Sequence, residues 1–188
     1  LQLCPDKVEW WLELGDCYQR QAQPLQARDA YRHAAALTPM ERAGFLHKLA
    51  ALVDEHNEVL AQILTAEGGK LLGESRIDAT FCAMLLRYAA ESARRLQGEI
   101  LPGEGRNEQI WIQRVPFGVV AGITAWNFPA ALFARKVGPS LVTGNTVVMI
   151  PSEHAPRVAS RLAEVYEEAG FPPGTFNVVT GFGEIDAP

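Results

Sequence analysis

Cysteine is scarce in this chain: Cys4, Cys17 and Cys82 are the three thiols among 188 residues, and none pairs with another at metal-ligand spacing. That excludes a disulfide-stapled secreted scaffold and a zinc ribbon, and it predicts a reducing, cytoplasmic setting. The four histidines, His33, His47, His56 and His154, are scattered and have no partners at ligand spacing, so no metal site is expected. No apolar run approaches the ~20 residues needed to span a bilayer, and no signal-peptide pattern opens the sequence, which predicts no membrane association. Positive charge is also in short supply: 17 Lys and Arg stand against 22 Asp and Glu, a formal charge of -5, with no basic stripe interleaved with aromatics. General nucleic-acid binding is thereby disfavoured. With 48% hydrophobic residues, a chain of this length can still bury one good core.

The second half of the chain carries ordered apolar patterning. Gly118 to Ala125 (GVVAGITA) and Thr146 to Ile150 (TVVMI) are short, β-branched and bounded by Gly, Pro and Asn, as buried parallel strands are. Between them Ala130 to Val142 has helical spacing, with Gly138-Pro139 predicting an interruption. A further helix, Ala155 to Ala169, puts Val158, Leu162, Val165 and Tyr166 on one face before Gly170 ends it, and Thr175 to Thr180 supplies a third strand. Strand, helix, strand, helix, strand implies right-handed crossovers and a parallel sheet, with a ligand crevice beyond the carboxyl ends of the strands.

Those ends carry distinctive residues. Thr124-Ala125-Trp126-Asn127-Phe128-Pro129 closes the first strand, Ile150-Pro151-Ser152-Glu153 the second, and Thr180-Gly181-Phe182-Gly183 the third. Together with Gly144-Asn145-Thr146 and Pro172-Pro173-Gly174-Thr175-Phe176-Asn177, they form an ordered set over about seventy residues that resembles the N-terminal cofactor-binding region of the NAD(P)-dependent aldehyde dehydrogenase family. Upstream the resemblance continues more weakly from about residue 39 through Glu41-Arg42-Ala43, Glu67-Gly68-Gly69-Lys70 and Leu96-Gln97-Gly98-Glu99. The Gly pair at 68 and 69 reads as a helix stop, not as a phosphate loop. The resemblance implies an α/β fold: a helical N-terminal part, then a β-hairpin at 98–115 of the kind that bridges subunits, then an incomplete Rossmann-like parallel sheet. Glu108 to Val115 alternates suitably, with Ile110, Ile112 and Arg114 on one side and Trp111, Gln113 and Val115 on the other.

The chemistry that the resemblance implies is oxidation of an aldehyde to a carboxylic acid. A thiolate attacks the carbonyl, donors hold the oxyanion, hydride passes to nicotinamide, and a carboxylate activates water against the thioester. Asn127 matches the family's oxyanion donor, a role suited to an amide; an Asn before an aromatic-Pro pair also simply makes a strand-to-loop turn. Ile123, Thr124, Ala125 and Trp126 line the cofactor in the same resemblance, and Ala125 replaces a usual Pro. Glu153, beside Ser152, matches the acceptor for the adenosine ribose hydroxyls, which favours NAD over NADP; without the motif it reads as a solvated Glu. Ile150 replaces a Lys that usually holds the same ribose, with a loss of about 1.5–3 kcal/mol of charge-assisted binding. Gly181, Phe182 and Gly183 match the loop beside the adenine, or form only a small-residue turn.

None of the three cysteines resembles the family's nucleophile loop: Cys82 reads as a core residue, Cys17 likewise, and Cys4 as an incidental thiol. The resemblance places that loop, the general-base Glu and the helix that meets the pyrophosphate after residue 188. The expectation is therefore a chain inactive alone, with NAD or NADP binding that is weak, millimolar or undetectable.

The N-terminal residues 1–38 carry a second pattern. Trp11, Leu14, Gly15 and Tyr18, then Ala27, Tyr31, Ala34 and Pro39, match the tetratricopeptide repeat, a helical hairpin in which Gly15 permits close approach. One copy is found where about three normally stack, so the hairpin must dock on something, or it is merely a helical pair covering its neighbour. Residues 26–35 also resemble the family's Ala-rich first helix, so the junction at 37–41 reads as a fusion, a remodelled start or a misread frame. The expected organisation is a repeat-like hairpin at 1–38 and a partial cofactor domain at 39–188. Expected partners are a second copy, or the missing catalytic segment, through the 98–115 hairpin. A non-catalytic scaffold using the repeat-like hairpin is the alternative function.

Overall fold

A computed structural model of the chain describes residues 36–181, so the repeat-like pattern, Cys4, Cys17, Phe182 and Gly183 lie outside the described residues. Three helices come first. Helix α1 (Pro39–Glu55) starts at a capping box: the Thr38 hydroxyl accepts from the Glu41 N–H at 3.2 Å, and the Glu41 carboxylate accepts from the Thr38 N–H at 2.7 Å. The junction at 37–41 is thus a well-formed helix start. Helix α2 (Asn57–Gly68) ends as expected at Gly69, whose φ of 67° is the left-handed cap conformation. Helix α3 (Leu72–Glu91) runs on into a 3-10 turn at Ser92–Arg95.

The predicted hairpin follows as β1 (Glu99–Pro102) and β2 (Gln109–Ile112), antiparallel with Glu99 opposite Ile112 and Pro102 opposite Gln109. The alternating pattern extended to Val115, but pairing stops at Ile112, and every residue of both strands is exposed. Gly98 marks the hairpin's base, since a Cβ there would stand 2.3 Å from the Ile112 carbonyl oxygen.

The alternating unit then appears as read: β3 (Val119–Thr124), α4 (Pro129–Val142), β4 (Thr146–Pro151), α5 (Pro156–Glu168) and β5 (Phe176–Val178). The sheet is parallel in the order β3-β4-β5, with Val120 opposite Val147 and Val148 opposite Asn177. Strand β5 is shorter than the predicted 175–180. The expected interruption of α4 at Gly138-Pro139 is not there. Pro139 lies inside the helix, and Gly138 serves packing: a Cβ at 138 would come within 2.7 Å of the Ala89 Cβ on α3. The proline removes one internal hydrogen bond, yet the helix runs on to Val142.

One face of the sheet is covered. Gly122 and Met149 lie under α4, and Gly122 has no room for a side chain, because a Cβ would meet Met149 Cε at 3.1 Å and Lys136 Cβ at 3.2 Å. Leu46, Leu49, Leu60, Leu86, Phe133, Val137, Val147 and Leu162, all essentially buried, join α1–α5 and β4 into a single core. At its far end Tyr166 stacks on Phe171 at 4.2 Å, and its hydroxyl shares a 2.5 Å hydrogen bond with Thr175. The opposite face of β3 is open: Val119 and Ile123 are 65% and 69% exposed. Among the described residues no helix is long and apolar enough to cross a membrane.

Candidate functional site

The carboxyl ends of β3 and β4 are brought together by register, Ile123 opposite Ile150 and Thr124 opposite Pro151. The side chains of Thr124 and Pro151 are buried on the helix side, whereas Ile123 is exposed and Ile150 half-buried on the open face. Beyond them Ala125, Trp126 and Asn127 form an exposed loop, which Phe128 and Pro129 turn into α4. Pro129 sits at the first helical position, where its missing N–H costs nothing. The Asn127 side-chain amide makes no hydrogen bond among the described residues and is open to a ligand.

After β4, Ser152 organises the second loop. Its hydroxyl accepts from the His154 N–H at 3.3 Å and its carbonyl from the Ala155 N–H at 3.0 Å, a turn that leads into Pro156. Glu153, at the tip, is 35% exposed and only loosely engaged, 3.4 Å from the Ser152 hydroxyl and 3.8 Å from the His154 ring. The His154 ring meets Trp126 edge-on at a centroid distance of 5.9 Å, which joins the two loops. Gly181 lies on the neighbouring strand's extension, where the Val179 N–H donates to the Met149 carbonyl at 2.8 Å. Asn145 secures the opposite end of the sheet: its side chain accepts from the Gly118 N–H at 3.0 Å and donates to the Thr143 hydroxyl at 2.8 Å. Gly144, at φ 89°, leaves room beside it for Arg42, which donates to the Val142 carbonyl at 3.0 Å, and whose burial lowers its pKa.

Sequence reasoning missed the residues that hold these loops. Both helices that leave the strand ends begin against a carboxylate from the α2–α3 corner. Asp78, fully buried on α3, accepts from the Ala131 N–H in the first turn of α4 at 2.9 Å. Glu67 accepts from the Arg157 and Val158 N–H groups of α5 at 2.5 and 3.0 Å. A carboxylate at a helix N-terminus satisfies orphan donors and complements the dipole. It also means that neither N-terminus is vacant for a phosphate. Lys70, just after the Gly69 cap, bonds Asp78 at 3.0 Å and the Asn127 carbonyl at 2.8 Å, and its ammonium sits 4.4 Å from the centre of the Phe128 ring. One local signal was available: Asp78 falls on the buried stripe of α3 with Ser75, Cys82 and Leu86, and a charge on such a stripe requires a partner.

Cys82 is completely buried on that stripe, and burial, with help from the Asp78 and Asp54 carboxylates, pushes its thiol well above the ordinary range. Among the described residues no group of three His, Cys, Asp or Glu side chains is placed to hold a metal ion.

The aldehyde dehydrogenase family profile matches residues 10–186, nearly the whole chain. This chain belongs to the aldehyde dehydrogenase family. It is 44% identical over 185 residues to the 3,6-anhydro-alpha-L-galactose dehydrogenase of Vibrio sp. (strain EJY3), which covers 95% of this chain and 38% of that protein. It is 41% identical over 149 residues to the lactaldehyde dehydrogenase of Escherichia coli, 79% of this chain and 31% of the relative. Among solved structures, PnpE in complex with nicotinamide adenine dinucleotide superposes with a TM-score of 0.80 at 38% identity, over 84% of this chain and 32% of that one. The chain thus spans about a third of the length of these relatives. The match begins at residue 10, within the stretch whose spacing resembles the repeat hairpin.

Proposed function

We propose that the chain is the N-terminal portion of an NAD(P)-dependent aldehyde dehydrogenase and contributes the oxyanion donor and the adenosine side of the cofactor site. The observation that carries this reading is Asn127, presented with a free side-chain amide at the end of β3, beside the loop that displays Glu153. An amide suits an oxyanion because it stabilises developing charge without giving up a proton. The weakly engaged Glu153 carboxylate is available to the ribose hydroxyls of a dinucleotide and opposes a 2′-phosphate, which favours NAD. Ile150 adds no charge-assisted bond, and carboxylates already hold the Ala131 N–H of α4 and the Arg157 and Val158 N–H groups of α5, so in this reading the described residues suit the adenosine better than the pyrophosphate. Ile123, Thr124, Ala125, Trp126, Ser152 and Gly181 are the remaining cofactor contacts in this reading, together with Phe182 and Gly183 outside the described residues.

Turnover needs a thiolate, and Cys82, sealed in the core with a raised pKa, cannot supply one. The chain alone is accordingly inactive in this reading, located in the cytoplasm and completed by a segment bearing nucleophile and general base. The exposed hairpin at 98–115 is the contact for that segment or for a second copy. The organisation that goes with it has a boundary at Thr38, where the α1 capping box begins. The test is an assay with NAD, NADP and a panel of aldehydes, alongside a thermal melt followed by near-UV circular dichroism with and without several millimolar NAD. Turnover by the chain alone that disappears in Asn127→Ala would overturn the inactive half-site. A cooperative melt raised by NAD supports a dinucleotide module, and one indifferent to NAD favours the scaffold alternative.

A further inference from the structure

We infer that Lys70 and Asp78 are positioning residues for Asn127, an ion pair that fixes the backbone from which its side-chain amide projects; this rests on the reading of Asn127 as the oxyanion donor. The loop from Trp126 to Phe128 has no side-chain cap of its own, because Phe128 stands at the N-cap position of α4 and makes none. Its restraint comes from the α2–α3 corner, 57 residues earlier in the chain. The Lys70 ammonium fixes the peptide that follows Asn127 in two ways, by a 2.8 Å bond to its carbonyl oxygen and by lying over the ring of the next residue. Asp78 bonds Lys70 with one carboxylate oxygen, and with the other it holds the Ala131 N–H one turn into α4. The peptide is therefore gripped on both sides of the Asn127-Phe128 step, which leaves only the side-chain torsions of Asn127 free.

Burial makes the grip stiff. The Asp78 side chain is fully buried and that of Lys70 is 14% exposed, so water competes little for the bonds to Asp78, which hold the ammonium in place for its more exposed bond to the Asn127 carbonyl. Charge-assisted bonds of this kind are directional and short, which suits a group that must be held to within a fraction of an ångström. Glu67 secures the start of α5 from the same corner, so the Glu153 loop has its own anchor and provides an internal control.

The test uses the whole 188-residue chain, isotopically labelled for NMR, as wild type and as Lys70→Met, Lys70→Arg and Asp78→Asn. In the wild type the Lys70 ammonium resonance is expected to be visible through slowed proton exchange. In Lys70→Met the Asn127 side-chain amide and Phe128 backbone signals should move, those of Arg157 and Val158 should stay, and Lys70→Arg should return part of the shift. Asp78→Asn should speed exchange of the Ala131 amide roughly tenfold, as expected for one lost charge-assisted bond. An unchanged Asn127 amide in folded Lys70→Met, or an arginine variant no nearer to wild type than the methionine one, overturns the inference. Should Lys70→Met not fold, a rapidly exchanging, averaged Lys70 ammonium in the wild type would overturn it by itself. These signals do not depend on turnover. Failure of aldehyde oxidation after complementation would sink the proposed activity while leaving this coupling standing.

Discussion

At the scale of single residues, Glu41 and Cys82 are among the groups whose ionisation the fold has moved, and they move in opposite directions. The Glu41 carboxyl is held below its ordinary range, first by the Thr38 N–H and then by the Thr38 hydroxyl, with Arg42 adding a little. A carboxyl with a folded pKa below its unfolded value stabilises the fold above the unfolded pKa, and that contribution is lost as pH falls through the folded one. The melting temperature of Glu41→Gln should therefore lie below wild type at neutral pH, and the gap should close in acid. A gap that persists unchanged at low pH would show that the capping carboxylate contributes nothing through its charge. Cys82 is displaced the other way, since burial disfavours its thiolate. Disulfide-exchange reagents at neutral pH should leave Cys82 unmodified until the chain unfolds, as read by peptide mass mapping that separates it from Cys4 and Cys17. Rapid modification of Cys82 in the native chain would contradict its placement in the core.

At the scale of elements, the closest helix–helix approach that a glycine marks is the crossing of α3 and α4. Gly138→Ala would place a methyl 2.7 Å from the Ala89 Cβ, a backbone-anchored atom that cannot rotate away. Overpacking of this kind costs about 1–3 kcal/mol. Chemical denaturation should show that loss, and adding Ala89→Gly should recover part of it, less roughly 1 kcal/mol for a glycine inside a helix. Additive costs in the double variant would mean that the two sites do not touch. The same crossing shows where sequence is informative. The alternation of β3, α4, β4, α5 and β5 was legible because each element has its own apolar period and is punctuated by Gly, Pro or Asn. The purpose of Gly138 was not, because it is set by a residue on another helix, and the local Gly-Pro pair suggested a break. The site divides in the same way. Asn127 and Glu153 were visible as motif residues at strand ends, and register brings those ends together. Lys70 and Glu67 were read as part of the upstream resemblance and of a helix stop, without a role at the site, since a hydrogen bond spanning 57 or 90 residues leaves no local trace.

At the scale of the whole molecule, the described residues make one well-packed core and leave several apolar surfaces uncovered, two of them on the β-structure. The open sheet face presents Val119 and Ile123, and the projecting hairpin presents Ile100, Ile110 and Trp111, the last 70% exposed. Strand β3 is also an edge among the described strands, with backbone groups available for pairing. Burying apolar area is worth about 25 cal/mol per Å2, and contiguous exposed patches with an open edge favour association between copies. The chain should accordingly self-associate at tens of micromolar, with a light-scattering mass above 20.6 kDa that rises with concentration. Two variants separate the surfaces. Ile123→Lys puts a charge on the open sheet face without touching the core, and Trp111→Glu does the same on the hairpin. If the sheet face drives association, Ile123→Lys alone should restore a monomer; if the hairpin does, Trp111→Glu should. A monodisperse wild-type monomer at that concentration would mean that neither surface suffices, and would remove the case for the 98–115 hairpin as a contact between copies.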